Sequence, residues 1–246
     1  MKEKIYTIPV NDAFSADCEC PLCHLEKSLE NEAVDYTLGA AMMEPDYRIK
    51  SNEKGFCRRH YPMLIRKQNK LSLSLVLDTH LNEVREKLKS FEKGISSDLS
   101  DKKPLFKKKD GTTAEALADF LDASEKSCVI CEKISDTVKR YTDVIFYLWK
   151  NDSSFHDKIQ NGKGFCIPHF NMLIKSAGES LDNRRAAEFI KLLYDKELSE
   201  LDRIQDEIHR FTLKFDYRNK DMDLGTAVDS PVRTIEKLSG YTENCD

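Results

Sequence analysis

Apolar residues recur at intervals of three and four along two long stretches of this chain. The first run is Leu77, Leu81, Val84 and Leu88, and the second is Leu201, Ile204, Ile208 and Phe211. Side chains at this spacing lie on one face of an α-helix. The pattern therefore predicts one long helix over 60–91 and another over 184–215, each with an apolar face.

The rest of the chain also favours helices. Strong helix formers without an internal breaker fill 25–41 and 132–149, and Pro45 either ends the first of these or begins a short second helix. Thr112 and Glu115 form a capping-box pattern at the start of another short helix. Strand-like alternation does not extend over any useful length. We predict an all-α protein.

Two copies of one cysteine and histidine pattern, about 109 residues apart, add chemistry to this picture. Each copy has a CxxC pair, a gap of just over 30 residues and then Gly-Phe-Cys-x-x-His. The first copy contains Cys20, Cys23, Cys57 and His60, and the second contains Cys128, Cys131, Cys166 and His169. Three thiols and one imidazole are the ligand set of a closed tetrahedral zinc site. The sequence therefore predicts two zinc ions per chain, one held by each copy.

The local chemistry explains why these residues would recur together. Cysteines at i and i+3 on a tight turn place both sulfurs on one side of the backbone, and a CxxH at the start of a helix does the same for one sulfur and one imidazole. The glycine before each CxxH permits the turn into that helix. A structural zinc ion contributes on the order of 10 kcal/mol to folding, so each site would act as a staple.

The same residues are also compatible with uses other than binding zinc. An iron–sulfur cluster accepts three thiolates and a histidine and is the main alternative cofactor, followed by labile thiol redox chemistry. Covalent haem attachment matches Cys20 to His24, but the second copy has Glu132 where that histidine stands. A thioredoxin-like CxxC would need a βαβ context. Cys18 is a spare thiol near the first site rather than a predicted ligand.

The similarity between the copies continues beyond the ligands. Tyr-Pro-Met-Leu-Ile-Arg follows the first CxxH, and Phe-Asn-Met-Leu-Ile-Lys follows the second in the same register. This indicates an internal duplication. The predicted architecture is a helical bundle of two related units, with a first unit at 1–93, a linker at 94–111, a second unit at 112–216 and a C-terminal tail at 217–246. The tail contains a predicted short helix over 231–238 and Cys245, for which no partner is predicted.

Composition limits the classes of partner. Of the 246 residues 40% are apolar and 33% charged, and the formal net charge is -4. A mildly acidic chain gains little from phosphate electrostatics, so nucleic acid is a disfavoured partner. The first ten residues lack the apolar core of a signal peptide, and no stretch approaches the roughly 20 apolar residues of a membrane span. We expect a cytoplasmic protein, in which regularly spaced cysteines favour metal ligands over disulfides.

Three functions are consistent with this sequence. The first is a binding or scaffold module that contains structural zinc and has a protein or small-molecule partner. The sequence favours no particular oligomeric state for this module. The second is a redox- or metal-responsive protein, and the third is an enzyme with a cavity between the two units. Catalysis is disfavoured, because each predicted site has four protein ligands and no familiar nucleophile or phosphate-loop motif occurs. The remaining histidines, His80, His156 and His209, lie among charged residues on predicted helices.

The chain resembles one bacterial protein family of unknown function, domain of unknown function 6062. The resemblance rests on MKEKIYTIPVNDAF, DCECPLC, the Ala-Met-Met-Glu-Pro segment at 41–45, GFCRRHY, GFCIPHF and the late Lys-Phe-Asp-Tyr-Arg at 214–218. It runs nearly the whole chain and is specific in its cysteine and histidine motifs. It implies membership of that family and supplies no activity.

Overall fold

The computed structural model describes residues 3–99 and 112–241, and every regular element in those two ranges is helical. The α-helices in chain order are α1 (Glu3–Ala13), α2 (Pro21–Leu38), α3 (Pro45–Lys54), α4 (His60–Arg66), α5 (Lys70–Ser90), α6 (Glu92–Leu99), α7 (Thr113–Lys126), α8 (Val129–Asn151), α9 (Ser153–Asn161), α10 (Ile167–Ser180), α11 (Asn183–Leu213) and α12 (Ser230–Ser239). The prediction of an all-α protein is confirmed for the described ranges. None of these helices combines the length and apolar character needed to cross a bilayer.

The chain forms two compact units that do not follow one another in sequence. A discontinuous unit comprises Met1–Leu29 and Asp136–Asp246, and a continuous unit comprises Glu30–Ser135. The boundaries between them fall inside α2 and α8. This division differs from the predicted succession of 1–93 and 112–216, because each unit takes part of the first sequence copy and part of the second.

The core of the continuous unit lies among the end of α2, the helices α3 to α5 and the start of α8. Its buried apolar residues come from both sequence copies, and they are Ala33, Val34, Leu38, Phe56, Met63, Leu64, Val76, Cys128, Val129 and Ile130. The Val129 amide donates to the Gly55 carbonyl at 3.1 Å, which joins the start of α8 to the turn after α3. The two segments that carry CxxH and CxxC thus meet in one core.

The predicted long helix over 60–91 is wrong in one respect: it is two helices. Residues 67–69 separate α4 from α5, and Gln68 adopts a left-handed backbone with φ of 58°. Asn69 then caps α5 by accepting from the Ser72 amide at 3.2 Å. The apolar run read from the sequence does not form the buried face of α5 either, since Leu81 is 68% exposed whereas Val76 is 1% exposed.

The core of the discontinuous unit is rich in aromatic rings. Phe14 of the segment after α1 packs on Phe155 of α9, with ring centroids 4.7 Å apart. Phe146 of α8 and Phe189 of α11 form an edge-to-face pair, with ring centroids 5.3 Å apart. The predicted helix over 184–215 corresponds to α11, and Ile204 of the predicted apolar run is buried.

Three further sequence predictions have clear structural outcomes. The capping box before α7 is present, with the side chain of Thr112 accepting from the Glu115 amide and that of Glu115 accepting from the Thr112 amide. The predicted linker at 94–111 begins inside α6, and its part from 100 to 111 lies outside the described residues. The tail contains α12 at the predicted place, packed on α10 and α11.

Candidate metal centres

The eight predicted ligands lie in two clusters of four. Each cluster contains three cysteine sulfurs and one histidine nitrogen, all within 4.8 Å of one another. The Cys20 cluster, in the discontinuous unit, consists of Cys20, Cys23, Cys166 and His169. The Cys128 cluster, in the continuous unit, consists of Cys57, His60, Cys128 and Cys131.

The predicted pairing of half-sites is therefore wrong. We expected the CxxC and CxxH of the same copy to meet, but the structure joins the CxxC of each copy to the CxxH of the other. The reason is that each half-site is a local turn, complete within four residues. Its spacing along the chain carries no information about which opposite half-site it meets, because the packing of the intervening helices decides that.

Both CxxC segments form the same turn at the start of a helix. The second cysteine amide donates to the first cysteine sulfur at 3.5 Å in both, from Cys23 to Cys20 and from Cys131 to Cys128. The helices α2 and α8 begin one residue after the first cysteine. Amide groups at a helix N-terminus favour negative charge, so this position stabilises thiolates.

Both CxxH segments follow a glycine with a backbone that other residues rarely adopt. Gly55 has φ of 59° and Gly164 has φ of 74°. At Gly55 a methyl group would also approach the His80 ring, to 2.3 Å from Nε2. The chain then turns so that Cys57 and His60, or Cys166 and His169, face the same way. The role that the sequence predicts for these glycines matches this geometry.

The separations between ligand atoms suit a single tetrahedral ion. In the Cys128 cluster, His60 Nδ1 lies 3.2, 3.3 and 3.4 Å from the sulfurs of Cys57, Cys128 and Cys131. In the Cys20 cluster, the nearest sulfurs are 3.1 to 3.4 Å from the Nδ1 of the histidine. Zinc bonds of about 2.3 Å to sulfur and about 2.0 Å to nitrogen place tetrahedral ligands roughly 3.5 to 3.8 Å apart.

The other nitrogen of each histidine faces a glutamate that the sequence did not point to. His60 Nε2 donates to Glu30 Oε1 at 2.9 Å, and Arg59 contacts the same carboxylate at 2.7 Å. His169 Nε2 lies 3.3 Å from Glu26 Oε1. A carboxylate behind a histidine fixes which nitrogen is free to bind a metal and raises its basicity. Glu30 is 2% exposed and lies on the face of α2 that also buries Ala33. A glutamate on an apolar helix face is the signal by which the sequence could have identified Glu30.

Hydrogen bonds within the Cys128 cluster shift the pKa values of its groups in opposite directions. Burial alone lowers the pKa of His60, but hydrogen bonds to Cys128 and Glu30 outweigh it and raise this pKa to about 10. A hydrogen bond from Cys131 lowers the pKa of Cys128 to about 3, and the same bond raises the pKa of Cys131. These shifts favour a Cys128 thiolate beside a His60 imidazolium, with Cys131 protonated. Metal binding must displace those protons.

The two clusters differ in exposure. All four residues of the Cys20 cluster are buried. In the Cys128 cluster His60 and Cys128 are buried, Cys57 is half-buried and Cys131 is exposed. The same ligand set thus occurs once in a buried position and once at the surface of its unit.

A buried ion pair supports the loops of the Cys20 cluster. Lys237 of α12 is fully buried, and its Nζ lies 3.5 Å from Glu197 Oε1. The same ammonium donates to the Lys163 carbonyl at 2.5 Å, while Glu197 Oε2 accepts from the Phe165 amide at 2.9 Å. Both partners therefore hold the backbone immediately before Cys166.

The remaining candidates lie outside the clusters. His24 is exposed and Cys18 is half-buried, and neither belongs to a cluster, while Cys245 lies outside the described residues. Two of the other histidines bond to backbone carbonyls: His80 to Asn52 at 2.7 Å and His156 to Trp149 at 2.9 Å. The last, His209, is an exposed residue of α11 and also lies outside both clusters.

Comparisons with known proteins identify a family. No curated protein and no solved structure matches the chain. One family model matches residues 1–245, which is essentially the whole sequence. The chain therefore belongs to DUF6062, a family of unknown function.

Proposed function

We propose that this protein is a cytoplasmic zinc protein in which one structural Cys₃His site closes each unit, and that it serves as a helical binding or scaffold module. One observation carries the proposal. In both clusters three sulfurs and one Nδ1 surround a single point at near-tetrahedral separations, while the histidine Nε2 faces a carboxylate. This is the arrangement of a zinc ligand set with its supporting carboxylate.

The ligand chemistry favours zinc over other metals. Thiolates and imidazole together suit zinc, whereas magnesium, calcium and manganese prefer oxygen ligands. A complete set of four protein ligands is typical of structural zinc, because catalytic zinc keeps one position open for water or substrate. A role in holding helices follows more directly from this geometry than a role in catalysis.

The spacing also favours one ion over an iron–sulfur cluster. A cluster distributes its ligands over two or four iron atoms, so some ligand atoms lie farther apart than they would around one ion. Here Cys57 and Cys131 have sulfurs 3.6 Å apart, and those of Cys23 and Cys166 are 3.5 Å apart. All four ligand atoms of each set lie within 4.8 Å of one another, so some of them would have to separate to accommodate a cluster.

Each ion would join segments that are distant in sequence. The Cys20 cluster connects the start of α2 to the start of α10, and the Cys128 cluster connects the turn before α4 to the start of α8. Zinc binding of this kind stabilises a fold by on the order of 10 kcal/mol. The functional surface would then be a helical face that the metals hold in place.

Metal analysis of the purified full-length chain tests the proposal. We expect two zinc ions per chain, and we expect cobalt substitution to give the absorption of tetrahedral thiolate-bound Co(II). Cys20→Ser and Cys128→Ser should each retain one zinc, and Cys18→Ser, a thiol outside both clusters, should retain two. A chain that contains iron and absorbs near 400 nm, or one that binds no metal, would refute the zinc assignment.

Double variants test the pairing itself. If the half-sites pair as the structure has them, Cys57→Ser with Cys131→Ser removes one zinc, because both ligands serve the same ion. Cys57→Ser with Cys23→Ser removes two. Pairing within each copy would give the opposite result for both variants. The two double variants carry the same number of substitutions, so each is the control for the other.

A further inference from the structure

The difference in exposure between the clusters has a chemical consequence. Their ligand types are identical, so the intrinsic strength of the bonds to a metal should be similar in both. What differs is access to the sulfurs, because Cys131 is exposed and Cys57 half-buried, whereas Cys23 and Cys166 are buried. Access of solvent to a thiolate is one of the properties that decide whether it reacts with oxidants.

The C-terminal helix explains why the Cys20 cluster is covered. Gly240 ends α12 with φ of 87°, and a methyl group at its Cβ position would lie 3.8 Å from the sulfurs of both Cys23 and Cys166. A cavity of 120 Å³ reaches Cys20 and Cys23 from the side but leaves them only 4% and 7% exposed. The backbone at Gly240 therefore lies beside the sulfurs of Cys23 and Cys166.

The surroundings of the Cys128 cluster are polar and solvated on the side of Cys131. Arg58, next to Cys57, has a side chain 94% exposed and pairs with Glu125 at 3.1 Å. Glu132, next to Cys131, pairs with Lys54, and both of these side chains are partly exposed. A small polar oxidant such as a peroxide can therefore approach Cys131 without opening the fold.

The two accessible sulfurs are also neighbours. The sulfurs of Cys57 and Cys131 are 3.6 Å apart and come from opposite half-sites. A disulfide requires their approach to about 2.05 Å. Redox-sensing cysteines are accessible and have a second thiol beside them that completes the disulfide. The Cys128 cluster has both features, with Cys131 as the accessible thiol and Cys57 as its partner.

We infer that the Cys128 cluster is a peroxide-sensitive metal site, in which oxidation joins Cys131 to Cys57 and releases the ion, while the Cys20 cluster keeps its ion. This inference rests on the proposed function, since it requires a metal in both clusters. It adds a response to oxidants at one of the two sites.

The reaction is a two-electron oxidation by a hydroperoxide. The Cys131 sulfur attacks a peroxide oxygen, the O–O bond breaks, and the leaving hydroxide takes up a proton to become water. The Cys57 thiolate then attacks the resulting sulfenic sulfur, the S–S bond forms, and a second hydroxide leaves and is protonated. Two thiolates lose two electrons, and hydrogen peroxide is reduced to two waters. Only Cys128 and His60 then remain as ligands, too few for a tetrahedral site.

Metal release during peroxide treatment tests this inference on the full-length zinc protein. A chromogenic zinc indicator, used at a concentration that removes no zinc by itself, follows release after addition of hydrogen peroxide. We expect one equivalent per chain to be released at least tenfold faster than the second. Mass spectrometry after alkylation should find the first disulfide between Cys57 and Cys131. Dithiothreitol with added zinc should restore two zinc ions per chain.

Matched variants assign the fast phase. Cys20→Ser, with only the Cys128 cluster loaded, should keep the fast phase, and Cys128→Ser should lose it and retain the slow one. Cys18→Ser should behave like the parent chain. Should either variant fold poorly, the disulfide found in the parent protein decides the matter alone.

Three outcomes would overturn the inference: release of both ions at one rate, earlier release from the Cys20 cluster, or a first disulfide that lacks Cys131. All three leave the proposed zinc sites intact. If the purified chain holds no zinc at all, the proposed function fails first, and the metal analysis before oxidation reveals that.

Discussion

The glutamates behind the two histidines should contribute unequally to metal affinity. Glu30 accepts from His60 Nε2 at 2.9 Å and is 2% exposed, so its charge acts in a poorly solvated place. Glu26 lies 3.3 Å from His169 Nε2, and its side chain is 27% exposed. Replacing a carboxylate behind a metal-bound histidine lowers metal affinity by about 10- to 100-fold, or about 1.4 to 2.7 kcal/mol.

We expect Glu30→Gln to lower metal affinity by an amount near the upper end of that range. The amide preserves a hydrogen bond to His60 but removes the charge that favours the electron-rich imidazole and that Arg59 contacts. Glu26→Gln should lower metal affinity by tenfold or less, because its longer and more solvated contact with His169 is screened by water.

Competition with a chelator of known zinc affinity measures both effects. The Cys20→Ser background isolates the site of Glu30, and the Cys128→Ser background isolates that of Glu26. Circular dichroism of each loaded variant controls for loss of fold. An affinity of Glu30→Gln within twofold of its background, or a larger loss in Glu26→Gln, would refute the reasoning.

Three further predictions concern stability and pH. Gly55→Ala should lower the free energy of unfolding by about 1–3 kcal/mol in denaturant titrations, since φ of 59° with ψ of -150° is essentially confined to glycine and the methyl group meets His80. Its control, the exposed helical Gly178→Ala, should be neutral or slightly stabilising, because nothing lies within 4 Å. Lys237→Met should lower the free energy of unfolding by about 3–5 kcal/mol, because it leaves Glu197 buried without its counter-ion. Adding Glu197→Gln should recover part of that loss, and additive effects of the two substitutions would contradict this pairing. Zinc affinity should fall as pH falls, because neighbouring sulfurs raise the pKa of some cluster thiols and zinc must displace their protons. Calorimetry in buffers of different ionisation enthalpy should therefore show that zinc binding releases protons, and proton uptake would be inconsistent with this reasoning.

The sequence predicted the helical class and the position of most helices because those depend on local preferences. The capping box at Thr112 and the helix starts at Pro45 and Ser230 are decided within a few residues. The break at Gln68 was missed because no proline or glycine marks it. The apolar run on α5 was misread since periodicity identifies a helix face but not whether another element covers it, and Leu81 is largely exposed.

The candidate sites were half predictable for the same reason. The ligand residues follow from two local motifs, and the structure brings all eight of them into clusters. Their pairing, the glutamates behind the histidines and the cover from α12 depend on contacts between distant segments. Glu197 and Lys237 are the clearest case, since neither is near a ligand in sequence and both hold the backbone that leads into Cys166.

The exchanged pairing also affects how the protein folds in the presence of metal. Cys20 and Cys23 are about 37 residues from the CxxH of their own copy but 143 to 149 residues from the partners they contact in the fold. Each doubling of the loop length costs about 0.6 kcal/mol in closure entropy. In an unfolded chain, pairing of this CxxC with the CxxH of its own copy is therefore favoured over the native pairing by about 1.2 kcal/mol, or roughly eightfold. For Cys128 and Cys131 the native separations are 68 to 74 residues against about 38 for pairing within the copy, so the local pairing is favoured about 2.5-fold.

We therefore expect zinc to slow refolding when it is present from the start, because it first stabilises pairings within each copy that must dissociate. Stopped-flow refolding from denaturant, followed by far-UV circular dichroism, should show an added slow phase under reducing conditions with one to two equivalents of zinc. The phase should disappear when zinc is added after the helices have formed. Cys57→Ser with Cys131→Ser, which removes one half-site of each copy, should weaken it. Identical kinetics for early and late addition of zinc would show that the native pairing forms before the metal binds.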